Sequence, residues 1–254
     1  MKIVGIVQAR MGSTRRSGKV LAKICGKPML EHLLTRLNAS EKLHGVIVAT
    51  TFESNDDTLV QWCIANDVEV FRGSGDNVLS RFYHCALTYD ADVIVRITAD
   101  DPLKDPRVID YAVNTLINNE DLDYVSNTID VSYPEGIDVE VFRFSALERA
   151  YKGAVKQSDL EHVTPYIWSN PDSFNLLNFC AKEDNSDIRL TVDYEVDLQV
   201  VEAILYNFKD NPLVSYQDIV AFLRGSANIA SINSGILRNE GYAKSIIDKD
   251  ENER

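Results

Sequence analysis

A chain of 254 residues, 45% hydrophobic and 26% charged, is long enough to bury a substantial core and has the makeup of an ordinary globular protein. Its formal net charge of −13 argues against nucleic acid or an anionic membrane as the main partner. No apolar run approaches the roughly 20 residues that cross a bilayer, no signal-peptide pattern opens the chain, and a cytoplasmic location is expected.

The apolar run Ile3-Val4-Gly5-Ile6-Val7 predicts a first strand over 2–8. Behind it comes Gln8-Ala9-Arg10-Met11-Gly12-Ser13-Thr14-Arg15-Arg16-Ser17-Gly18-Lys19, with four cations between Arg10 and Lys19. An acidic chain that gathers positive charge there is expected to hold an anion. Gly12 and Gly18 let the backbone turn and aim amide N–H groups into a concavity suited to phosphate. A following helix adds favourable dipole charge.

Further strands are predicted over 45–50, 68–71 and 92–97, alternating with amphipathic helices over 28–39, 54–66 and 76–90. Leu30, Leu33, Leu34 and Leu37 form a helical stripe, while Asn55-Asp56-Asp57 and Asp76-Asn77 supply capping side chains. This alternation predicts an α/β fold with a mostly parallel sheet flanked by helices. From residue 120 the rhythm changes: strands are expected over 122–127 and 137–142, with turn chemistry at Tyr133-Pro134-Glu135-Gly136. Helices follow over 144–152 and 158–169, strands near 174–181 and 188–192, and helices over 195–208 and 215–224. One domain over 1–245 is expected, with an acceptor-side subregion at about 120–190 and a polar tail over 246–254. Cys25, Cys63, Cys85 and Cys180 have neither CxxC nor zinc-ligand spacing, which predicts reduced thiols in the core.

Ligands of open α/β sheets bind beyond the carboxyl ends of the strands. The first strand delivers the cationic loop there, and the fourth ends in Thr98-Ala99-Asp100-Asp101-Pro102. A carboxylate beside a phosphate cradle is repulsive unless a cation lies between them. Mg²⁺, which takes one or two carboxylates together with phosphate oxygens, is the natural choice. A further acidic site, Asp193-Tyr194-Glu195-Val196-Asp197, makes Asp193 the second metal ligand, with Asp197 either the alternative or a helix-start residue. The loop is neither a P-loop, since five residues separate Gly12 from Gly18 and Val20 follows Lys19, nor a GxGxxG turn. It is richer in arginine, which binds phosphate bidentately and keeps its charge.

Ala9-Arg10-Met11-Gly12-Ser13-Thr14-Arg15, Gly18-Lys19 and Gly26-Lys27-Pro28-Met29-Leu30 resemble the cytidylyltransferases that activate sugar acids, the acylneuraminate and keto-deoxyoctulosonate enzymes. With Phe71-Arg72-Gly73-Ser74, Val95-Arg96-Ile97-Thr98-Ala99-Asp100, Gly136-Ile137-Asp138-Val139-Glu140, Glu161-His162-Val163-Thr164-Pro165-Tyr166 and Arg238-Asn239-Glu240-Gly241-Tyr242, the chain is most similar to the spore-coat polysaccharide biosynthesis F-type branch. The resemblance implies a nucleotide-diphospho-sugar transferase fold and a homodimer. It also implies a reaction of CTP with a sugar acid or related acid, releasing pyrophosphate, in surface polysaccharide or glycan synthesis.

By position, the resemblance assigns Arg10, Ser13, Arg15 and Lys19 to the triphosphate, with Ala9, Gly12 and Thr14 in the same loop, and Asp100 and Asp193 to Mg²⁺. Arg10, Arg15, Lys19 and Asp100 are thereby the catalytic candidates. Ala99 stands where the family usually has Gly, and Glu195-Val196 replaces the more usual Pro-Glu. Arg72 and Asp76 are further nucleotide candidates, Asp76 being equally a helix cap. Asp138, Glu140, Glu161 and His162 are expected on the acceptor side, His162 as an orienting group or base. Arg96, in an apolar strand, needs a carboxylate partner, with Asp138 the candidate. Competing readings are a sugar-1-phosphate nucleotidyltransferase using GTP or UTP, and a nucleotide-binding module without catalysis.

Overall fold

The computed structural model describes residues 1–12, 18–238 and 240. Strand β1 (Ile3–Gln8) leads into the cationic loop, a turn of 3-10 helix at Lys19–Leu21, a minimal antiparallel hairpin of β2 (Lys23–Ile24) and β3 (Lys27–Pro28), and helix α1 (Met29–Leu37). Then follow β4 (Gly45–Thr51), α2 (Asp57–Ala65), β5 (Glu69–Gly73), α3 (Val78–Thr88) and β6 (Val93–Thr98). Every predicted strand and helix of this half is present, differing only at the ends. The four long strands pair in parallel in the order β5-β4-β1-β6, so their carboxyl ends share one edge.

Helix α4 (Pro106–Ile117) was not among the expected elements. Its start is nonetheless well specified: Asp105 accepts from the Arg107 N–H at 2.9 Å, and Pro106 sits in the first turn, where a missing N–H leaves no bond unmade. Next come β7 (Tyr124–Ser126), β8 (Glu140–Arg143), α5 (Phe144–Gly153), α6 (Gln157–His162), α7 (Pro165–Trp168), β9 (Leu176–Asn178), α8 (Glu195–Asn207), α9 (Tyr216–Arg224) and α10 (Ala227–Ala230). Strand β8 runs antiparallel to both β6 and β7, completing a seven-stranded mixed sheet.

Two expectations are corrected. The helix expected over 158–169 is broken, because Val163 adopts a φ of 73° and Pro165 starts the next turn. Residues 188–192 are extended but form no ladder: Leu190 donates to the Glu135 carbonyl at 2.7 Å and Val192 to that of Asp100 at 2.8 Å. Gly136 permits this approach. Its φ is 99°, and a Cβ there would lie 2.7 Å from the Thr191 nitrogen.

Strand alternation splits the core into two layers. In β1, Ile3 and Val7 face the layer containing α1, α4 and α8, while Val4 and Ile6 face that of α3 and α5. The Leu30, Leu33, Leu34 and Leu37 stripe is buried in the first layer, as its spacing predicts. Cys63 and Cys85 are buried free thiols, but Cys25 and Cys180 are exposed, so only half of the cysteines belong to the core. Among the described residues no helix is long and apolar enough to cross a membrane.

Candidate active site

The shared strand edge opens into a cleft of about 1110 Å³. The end of β1 contributes Gln8, Ala9 and Arg10; the end of β6 contributes Thr98, Asp100 and Asp101; Gly75, Asp76 and Arg81 come from the turn after β5 and from α3. The facing wall is built from the β8 region (Asp138, Glu140), the α6–α7 corner (Glu161, His162, Thr164) and a return segment carrying Asp193 and Tyr194. Arg238 and Glu240, far along the chain, line it too.

Asp100 and Asp193, 93 positions apart in sequence, converge on one cation. Lys19 Nζ donates to Asp100 Oδ2 at 2.9 Å, to Asp193 Oδ1 at 2.8 Å and to the Val192 carbonyl at 3.1 Å. Burial alone would lower the Lys19 pKa, but the two carboxylates outweigh it and raise the value. Burial likewise pushes Asp100 upward, and the charge and hydrogen bond of Lys19 overcome it, holding the carboxyl at about 2. Asp101 turns elsewhere, accepting from Thr98 Oγ1 at 2.8 Å and from the buried Lys104 Nζ at 2.7 Å.

The return segment is fixed from behind. Fully buried Asp197 accepts from the backbone N–H groups of Asp193 and Tyr194, both at 2.9 Å, and from Arg189 Nε at 2.9 Å. Arg189 also binds Glu135 at 2.6 Å and Asp193 at 3.1 Å. Asp197 therefore organises the start of α8, and Asp193 is the acid presented beside Asp100.

On the loop side, Arg10 is exposed and lines the cleft. Ser13, Thr14 and Arg15 lie outside the described residues. Gly18, with a φ of 72°, closes the loop by donating to the Met11 carbonyl at 2.8 Å, whereas Gly12 is not among the glycines with positive φ. Arg72 does not line the cleft. Its guanidinium is drawn to the Thr51 carbonyl at 2.8 Å, to Asp57 at 2.7 Å and to the Glu53 carbonyl at 3.0 Å. Asn77, not Asp76, caps α3 by accepting from the Ser80 N–H at 2.7 Å, which leaves Asp76 in the cleft wall. Sequence reasoning missed Arg81, a buried arginine on the inward side of α3 whose pKa is brought down to about 10 by burial and by nearby Arg10.

On the acceptor side the expected pairing of Arg96 with Asp138 is corrected. Antiparallel register sets Arg96 opposite Glu140, and those two form the ion pair. Glu140 Oε1 also accepts from Tyr124 Oη at 2.7 Å and Thr164 Oγ1 at 2.5 Å, so its pKa falls despite burial. Asp138 pairs instead with Arg238, while burial keeps its carboxyl above the usual range. Lys104 Nζ donates to the Asp138 carbonyl at 2.6 Å. Glu161 and His162 line the same wall. Lys104 and Arg238 are the other groups that the expected site residues did not include. Arg238 carried a signal in the Arg238-Asn239-Glu240 motif; Lys104 carried none beyond its place after Asp101-Pro102.

A family model described as Cytidylyltransferase matches residues 4–228. An uncharacterised protein of Methanocaldococcus jannaschii is 42% identical over 244 residues, covering 95% of this chain and 98% of that one. The spore coat polysaccharide biosynthesis protein SpsF of Bacillus subtilis is 30% identical, covering 90% and 97%. The 3-deoxy-manno-octulosonate cytidylyltransferase of Chlamydia trachomatis serovar A is 34% identical, covering 79% and 82%. Among solved structures, a cytidylyltransferase from Leptospira borgpetersenii superposes with a TM-score of 0.88 at 31% identity, covering 94% and 100%. The family model spans residues 4–228 and the structural match covers 94% of the chain, so the chain belongs to the cytidylyltransferase family.

Proposed function

We propose that this protein transfers a cytidylyl group from CTP to a hydroxyl of a sugar acid or related acid, releasing pyrophosphate, in the synthesis of a surface polysaccharide or glycan. The observation that carries the reading is the convergence of Asp100 and Asp193 on one cation, in a cleft that Arg10 also lines. The names of the SpsF and octulosonate relatives support the acid and the polysaccharide.

Two carboxylates already close enough to share the Lys19 ammonium match the oxygen-donor preference of Mg²⁺, so Asp100 and Asp193 are the residues that would hold it. When bound, the ion supplies charge neutralisation at the α-phosphate. The protein's own part is positioning and electrostatics. Arg10, Arg15 and Lys19 take charge from the β- and γ-phosphates as the bond to pyrophosphate breaks. Lys19 is then the residue that exchanges its carboxylate partners for phosphate oxygens. The acceptor hydroxyl oxygen forms the new bond to the α-phosphorus, and His162, which lines the acceptor wall, is the residue proposed to take its proton.

The deciding assay measures pyrophosphate release with Mg²⁺ and CTP, UTP or GTP against 3-deoxy-manno-octulosonate, N-acetylneuraminate and sugar 1-phosphates. Turnover with CTP and an acid is expected. Turnover only with sugar 1-phosphates and UTP or GTP, or nucleotide binding without pyrophosphate release, overturns the proposal.

A further inference from the structure

Four buried side-chain atoms among the described residues have no hydrogen-bond partner: Gln8 Oε1 and the Nε atoms of Arg81, Arg96 and Arg238. All four of these residues line the cleft described above. Buried polar groups in native proteins are nearly always satisfied, so their concentration here marks where polar atoms of ligands belong. Arg81 stands close enough to Arg10 to feel its charge, which places it on the loop side. Arg96 and Arg238 belong to the opposite side, against the chain leading into β8.

The two have parallel constructions. Arg96 is held at one end: its Nη1 donates to Glu140, itself fixed by Tyr124 and Thr164. The other edge of the guanidinium, Nε and Nη2, makes no hydrogen bond among the described residues. Arg238 is held through both Nη atoms, by the Tyr133 carbonyl at 2.9 Å and by Asp138, with Nε left over. Asp138 and Glu140 are two positions apart, so the two arginines are anchored to neighbouring carboxylates.

A guanidinium edge with two parallel N–H groups matches a planar carboxylate in bidentate fashion. The local charge sharpens the choice. Arg96, Arg238 and Lys104 are each matched by one acid, Glu140, Asp138 and Asp101 respectively. Each of these cations already has an acid beside it, so they offer directed N–H donors rather than excess positive charge, which suits a monoanionic carboxylate better than a phosphate dianion.

We infer that the free Nε–Nη2 edge of Arg96 receives the carboxylate of the acceptor, with Arg238 Nε as a second donor, so that these residues select an acid over a sugar phosphate. This rests on the cytidylyltransferase reading above and names the acceptor-binding residues within it. Glu140 then acts through Arg96 as a positioning residue, because its oxygens are already engaged.

The test is steady-state kinetics of wild type, Arg96→Gln, Arg96→Lys and Arg238→Gln with CTP and whichever of 3-deoxy-manno-octulosonate and N-acetylneuraminate the wild type uses, alongside the carboxamide of that acid. Arg96→Gln is expected to raise KM for the acid at least tenfold, leave KM for CTP within about twofold, and narrow the preference for acid over amide. Arg96→Lys, which keeps the charge without the forked edge, should fall between. Arg238→Gln should show a smaller effect in the same direction. An unchanged acid KM in both Arg96 variants, or equal losses for acid and amide, overturns the assignment even if thermal stability falls. A wild type that uses no acid at all overturns the cytidylyltransferase-to-acid reading itself, and that result appears before any variant is made.

Discussion

On the proposed reading the chemistry turns on Lys19, Asp100 and Asp193, which are joined by two ion pairs. Asp100→Asn and Asp193→Asn each keep the shape while removing a charge from the point where a cation must sit. Each should lower kcat by about 10²–10³-fold, the range seen when one electrostatic group at a reacting centre is removed. Near-normal turnover in either variant would remove that residue from the site. The same ion pairs shape stability. Asp100 has a folded pKa of about 2, below its ordinary 3.8, so its contribution is complete above the unfolded value and disappears as pH falls through the folded one. Lys19, shifted upward, contributes below its unfolded pKa and loses that contribution only as alkaline pH passes the folded value. Asp138 works the other way at low pH, since burial raises its pKa and protonation relieves a buried charge. Chemical denaturation of wild type and Asp100→Asn between about pH 5 and pH 2 should show a steeper acid loss in wild type. Parallel curves would mean that the pair adds nothing to folding.

Elements whose pattern is local were legible: the leucine stripe of α1 and the β-branched runs of β1, β4 and β6 gave their type and place. Helix α4 carried its signal in Asp105-Pro106, but that signal was hidden behind the acidic turn that precedes it. The break at Val163 and the course of 188–192, bridged to Glu135 without a ladder, were not legible, because each depends on distant neighbours. Val163 is fully buried against the α3–α5 layer, and Thr164 just beyond it reaches Glu140. The 188–192 segment is extended because Glu135 and Asp100 hold its backbone, an arrangement only Gly136 leaves room for. Gly136→Ala therefore tests an element rather than a residue. A methyl 2.7 Å from a backbone nitrogen, on a φ of 99°, must push the segment outward and carry Asp193 away from Asp100. Strain of this kind costs about 1–3 kcal/mol, and at this chain length the Tm should fall by roughly 2–10 °C. The kcat should drop even at temperatures where the variant is fully folded. A stability loss without a loss of turnover would show that the 188–192 course does not position the site.

Across the whole molecule acidic charge prevails, and the cleft sets its cations among acids. The formal net charge is −13, and Arg10, Arg81, Arg96, Arg238 and Lys104 line the cleft beside acids that include Asp100, Asp138, Glu140 and Asp193, all five cations but Arg10 being well shielded from solvent. The loop and Asp100 could be read from sequence because strand ends announce them, and Asp193 because an acidic run precedes a helix. Arg81 and Lys104 could not, since nothing in a helix or loop pattern tells a buried arginine or lysine from an exposed one. Those buried cations have a consequence for the fold. Arg81, Arg96 and Arg238 each leave a donor without a protein partner, so the cleft is a place where folding is opposed and ligand atoms are favoured. Binding and stability should then be linked. With Mg²⁺ and CTP at a hundred times its Kd, mass action contributes about 2.7 kcal/mol, a rise in Tm of roughly 5–10 °C for a protein of this length. CTP without the metal should give a smaller rise, and Asp193→Asn should erase the difference between the two, since it removes one of the carboxylates that would hold the ion. UTP and GTP, compared at matched concentration, should stabilise less. If all three nucleotides shift the Tm equally, the cleft reads only phosphate and base selection lies elsewhere. If none does, the cleft is not a nucleotide site, and the reading built on Lys19 and its two aspartates falls with it.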